Sequence, residues 1–170
     1  WTHYLYDASN SCVSDDTVVD APFHLRWKGG PLWSRAHEVM ASTSAMVSEG
    51  GRVYTIVDEG PAASTLLPAD WQLTARDAFN GIVLWKREIP NWHYHLRGFR
   101  SGPSELARRL VAVGNRVYVT LGIDAPLSAL DAATGETITT FKGTENAQEF
   151  VCSQGKLFAV TGDAAAQEAA

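Results

Sequence analysis

Residues 75–86 read ARDAFNGIVLWK and residues 129–140 read ALDAATGETITT. Both carry Ala-x-Asp-Ala-x-x-Gly, and Trp85 closes the first copy four residues after its glycine. A short carboxylate before a tight reversal can accept hydrogen bonds from the turn's own amides, a task that falls to Asp77 and Asp131. Gly81 and Gly135 supply the positive φ that such a reversal needs. Ala75 and Ala129 are small, which suits close packing between neighbouring layers. The indole of Trp85 can bury on the order of 150–250 Å² and lock one layer on the next. The motif reads as a structural fastener.

The flanking sequence is a series of short strands. GGRVYTIVDE (50–59), WQLTARDA (71–78) and IVLWKREI (82–89) are rich in β-branched and aromatic residues and bounded by turn formers. The order returns as RLVAVG (109–114), NRVYVTLG (115–122), LSALDA (127–132) and ETITTFKG (136–143), and a third round opens with EFVCSQG (149–155) and KLFAVTG (156–162). No stretch keeps a helical period over three turns. The chain reads as all-β.

Aligned, Gly51-Arg52-Val53-Tyr54 matches Asn115-Arg116-Val117-Tyr118 and Gly155-Lys156-Leu157-Phe158. The second and third of these lie 40 residues apart and the first and second 64 apart, the surplus falling in 59–70 and 90–105. A period near 40 with four strands per unit is the mark of a propeller blade. The expected fold is a partial β-propeller of four-stranded antiparallel blades, about two and a half of them. Residues 1–41 form an entry segment and strand, 42–107 blade one with long loop insertions, 108–148 blade two, and 149–170 the start of blade three with a tail.

Composition narrows the classes. The 170 residues are 45% hydrophobic and 19% charged, with net charge −5, which suits a globular fold. Lys and Arg form no long stripe, so nucleic acid is not an expected partner. No run reaches 18 apolar residues, so no spanning helix is expected. The chain opens at Trp1, and a mature or cut-out segment is expected. Cys12 and Cys152 have no metal or redox spacing; two buried thiols or one long-range disulfide both fit.

Ala75-x-Asp77-x-x-x-Gly81-x-x-x-Trp85 resembles the tryptophan-docking repeat of the pyrroloquinoline-quinone-type, or quinoprotein alcohol dehydrogenase-like, β-propellers. The second copy follows the pattern to Gly135 and departs at Thr139, where the repeat would place tryptophan. Trp1, Asp7, Asp16 to Val19, Pro22 and Trp27 resemble the entry to such propellers, with FHLRWKG (23–29) closing the last blade or leading into the first. The resemblance implies an N-terminal fragment of a longer bacterial protein, whose other blades are its partners. It also implies a periplasmic or cell-envelope location.

Outside the fastener, Trp92-His93-Tyr94-His95-Leu96-Arg97 is the most suggestive stretch. Extended, it puts His93 and His95 on one face, where two imidazoles with Arg97 and Arg100 could contact a ligand or partner. The plainer reading is a half-buried aromatic loop, and no metal site is assigned because a structural site wants about four ligands. His3, His24 and His37 could join them in space. Arg97, Arg100, Arg108 and Arg109 form a small basic cluster, read either as contact with an acidic partner or as a solvated loop balanced by Glu88 and Glu105. Asp15-Asp16 and Asp58-Glu59 read as solvated turns before they read as carboxylate dyads or calcium ligands. Trp33, Trp71 and Trp92 with Tyr4 and Tyr6 would stack a flat ligand or pack blades. No nucleophile elbow or phosphate loop is present, so no catalytic residue is assigned.

Two functions remain open for this segment, beside a third possibility that the activity sits in another domain of the complete chain with these blades as its appended module. One is a non-enzymatic binding or scaffold module with a possible protein partner. The other is part of a quinoprotein dehydrogenase oxidising alcohols or sugars, for which the resemblance implies pyrroloquinoline quinone and calcium as cofactors.

Overall fold

A computed structural model describes residues 1–19, 24–31, 42–64, 66–92 and 104–162. These residues are all-β, with almost no helix. The first sheet holds β1 (Thr43–Glu49), β2 (Arg52–Asp58), β3 (Trp71–Asp77) and β4 (Val83–Glu88). The second holds β5 (Leu110–Val113), β6 (Arg116–Thr120), β7 (Leu127–Asp131) and β8 (Thr137–Thr140). The third pairs β9 (Ala147–Ser153) with β10 (Lys156–Thr161). Within each sheet every strand pairs antiparallel with the next, and the first strand of each sheet is an edge. A 3-10 helix, Ser104–Arg109, leads into β5.

The reversals explain the order. Gly50 and Gly51 have φ of 57° and 74°, and Gln154 and Gly155 have 49° and 71°. Two successive positive φ values match the twist of a tight hairpin. β1 was not among the sequence-predicted strands, because TSAMVSE has little intrinsic β preference; pairing with β2 makes it a strand. Its Ala45 and Val47 point inward, opposite Ile56 and Tyr54.

Alternation then builds two cores. From the first sheet Tyr54, Ile56, Leu73, Ala75 and Trp85 meet Leu110, Val117, Val119 and Leu130 of the second. From the second, Val111 and Leu127 meet Ala147 and Phe150 of the third. Each fully buried aliphatic contributes roughly 1.5–3 kcal/mol. The third sheet's other face carries Phe158 and Val160, 56% and 58% exposed, in the positions of the buried Tyr54 and Ile56.

The cysteines differ from both sequence expectations: they are free, Cys12 exposed and Cys152 part-buried. Cys12 lies on the irregular segment before residue 20, outside either core.

Candidate functional site: the sheet-docking turns

The two Ala-x-Asp turns have nearly the same geometry. Asp77 Oδ1 accepts from the amides of Phe79 (2.8 Å) and Asn80 (3.1 Å). Asp131 Oδ1 accepts from those of Ala133 (2.9 Å) and Thr134 (3.0 Å). These amide bonds hold the Asp131 carboxyl below the usual carboxylate range. Gly81 N donates to Asp77 O and Gly135 N to Asp131 O, both at 2.9 Å. Gly81 and Gly135 have φ of 76° and 74°. Each motif alanine lies beside a register shift to the next strand, Ala75/Arg76 in one sheet and Ala129/Leu130 in the other.

Trp85 joins the first sheet to the second. Its indole N–H donates to Ala132 O at 3.1 Å, and its ring lies where a Cβ on Gly135 would be 2.6 Å away. Tyr54, whose ring centroid is 5.9 Å from that of Trp85, donates its hydroxyl to the same carbonyl at 3.3 Å. Burial raises the Tyr54 phenol above its ordinary range. Arg87 Nη1 reaches Gly135 O at 2.6 Å. Glu49 Oε1 accepts from Gly114 N at 3.1 Å.

Trp27, before the first sheet in the chain, makes the same joint with it. Its indole N–H donates to Ala78 O at 2.9 Å, and a Cβ on Gly81 would meet its ring at 2.5 Å. Arg26 Nε donates to Phe79 O at 3.0 Å. Residues 24–29 thus present to the first sheet the tryptophan that β4 presents to the second, without a ladder partner of their own among the described residues. Trp27 stands in no Ala-x-Asp-x-x-x-Gly motif, so its role carried little local signal. In the second sheet Thr139 pairs with Ala129, the register that Trp85 holds with Ala75, and it is exposed.

The other candidates scatter. His93, His95, Arg97 and Arg100 lie outside the described residues, as do His37 and Trp33. Arg108 pairs with Glu149 at 2.9 Å and lies 5.9 Å above the Tyr4 ring, so its partner is neither Glu88 nor Glu105. Arg109 is 5% exposed; its Nη1 donates to Ile123 O at 2.8 Å and its Nε has no partner among the described residues. Asp16 caps the amides of Val18 and Val19, and Asp58 those of Gly60 and Asp70. Glu59 pairs with Lys86. Trp71 and Trp92 are buried, Trp92 donating to Ser44 Oγ at 2.8 Å. Among the described residues no three His, Cys, Asp or Glu side chains group as a metal site, and no helix is long and apolar enough to cross a membrane.

No family model and no curated protein matches this sequence. Among solved structures the chain is similar to a europium-containing methanol dehydrogenase, with 14% identity over 74% of this chain and a TM-score of 0.43. The match covers 21% of that protein, so the chain spans about a fifth of its length.

Proposed function

We propose that this chain is a β-propeller repeat segment serving as a binding or scaffold module of a cell-envelope protein. One observation carries the reading. Trp27 of the 24–29 segment on Gly81 and Trp85 of β4 on Gly135 are the same joint made twice, which supports a repeat array of the propeller kind. Phe158 and Val160, exposed among the described residues, give the third sheet an apolar face equivalent to the one that the first sheet buries on the second, which supports a further packing layer on that face. Asp77, Asp131, Asp58 and Asp16 are committed to capping turns, which favours a structural use of those carboxylates over a catalytic one.

The test is titration of the chain with pyrroloquinoline quinone, with and without calcium, followed by tryptophan fluorescence. The module reading expects no saturable quenching. Saturation at one quinone per chain, tightened by calcium, would replace it with the dehydrogenase reading.

A further inference from the structure

The segment before the first sheet crosses all three sheets. Ser48, Ala112 and Cys152 hold equivalent places on β1, β5 and β9, opposite Val53, Val117 and Leu157. Their amides donate in turn to Trp1 O at 2.7 Å, Thr2 O at 2.9 Å and His3 Nε2 at 3.0 Å. Three consecutive residues thus satisfy one edge amide on each sheet. The first two bonds use main-chain oxygens, which do not titrate. The third uses an imidazole.

We propose that the Trp1–Asn10 segment is a proton-gated clasp, closed across the three sheets by neutral His3. The Cys152 N–H requires a lone pair on Nε2, so the ring proton sits on Nδ1 and is donated to Thr2 Oγ1 at 2.7 Å. His3 is 3% exposed. Protonation at Nε2 sets two donors face to face and leaves a part-buried amide unpaired. Burial lowers the affinity of the ring for a proton, with Asp7 acting in the opposite sense and the Trp1 amino group in the same sense. Asp7 is itself capped by Ser9, which keeps it ionised. The titratable groups on β9 nearby are the Cys152 thiol, which packs on the second core and which burial keeps protonated, and Glu149, which pairs with Arg108 of the 3-10 helix and accepts from Asn10 at 3.4 Å. Tyr118 on β6 has its phenol raised by burial and stays neutral. None of these replaces the lost acceptor.

A histidine that binds protons less well folded than unfolded stabilises the closed form fully above about pH 6.5. That stabilisation is lost as pH falls toward the folded-state value. Opening frees one edge amide on each sheet, a row of donors suited to another extended segment.

The test is amide hydrogen exchange of the whole chain by NMR between pH 8 and 5, expressed as protection over the intrinsic rate. Protection at Cys152 should fall below about pH 6.5, by at most about tenfold per pH unit and levelling off at the folded-state value, with Ser48 and Ala112 following. His3→Gln, whose side-chain oxygen accepts without titrating, should flatten that dependence. The same slope in His3→Gln, or constant protection through the His3 titration, overturns the clasp. The imidazole nitrogen shifts of the unsubstituted chain give an independent reading. A bare Nε2 that titrates below the ordinary histidine range supports the clasp, and titration at or above that range overturns it.

Discussion

Trp85 lies across Gly135 so closely that a β-carbon on the glycine would sit 2.6 Å from the indole. The glycine is therefore required twice, by its φ of 74° and by the ring on top of it. Gly135→Ala should cost about 2 kcal/mol or more, the sum of left-handed strain and displacement of a packed aromatic. A lowered urea midpoint with unchanged slope checks this. Gly81→Ala, under Trp27, should behave alike.

Trp85 and Trp27 make the same hydrogen bond but differ in burial, Trp85 being 9% exposed and Trp27 only part-buried. Trp85→Phe should cost about 2 kcal/mol and Trp27→Phe about half of that. Because Tyr54 and Trp85 share the Ala132 carbonyl, a double-mutant cycle between Tyr54→Phe and Trp85→Phe should show coupling of at least 0.5 kcal/mol. Additive losses would mean that the shared acceptor is energetically unimportant.

Asp131 keeps its carboxyl ionised below the usual range through the turn amides of Ala133 and Thr134. A depressed carboxylate stabilises the fold above its unfolded value, near 3.9, and that contribution disappears as pH falls through the folded value. Urea midpoints of the native chain should therefore drop between pH 5 and 2. Asp131→Asn, which retains the accepting oxygen but does not titrate, should show a shallower decline over that window.

Thr120 is fully buried and its hydroxyl has no partner among the described residues. Removing an unsatisfied hydroxyl at constant shape is favourable, so Thr120→Val should raise stability by about 1 kcal/mol. A fall in stability would reveal a hydrogen bond made by that hydroxyl in solution.

Much of the strand order was legible, because short runs of β-branched residues between turn formers leave few alternatives to antiparallel hairpins. The turn chemistry of Asp77 and Asp131 was legible for the same reason, since a carboxylate two or three residues from its amides acts locally. β1 was less so: its alternation is weak, and only β2 makes it a strand. β9 begins at Ala147, before the predicted 149, because Ala147 fills the second core.

What the sequence determined by itself was local: the all-β character, the hairpins, and the capping carboxylate and the positive-φ glycine of each Ala-x-Asp turn. Tertiary structure decided every long-range partner. Trp27 reaches the turn at Ala78, Arg108 takes Glu149 over the nearer Glu105, and His3 meets an amide at Cys152. Those choices follow from how the sheets stack, because side chains far apart in the chain meet only where the faces that carry them are pressed together. A pattern read along one strand fixes which face a residue is on. It does not fix which other face lies opposite.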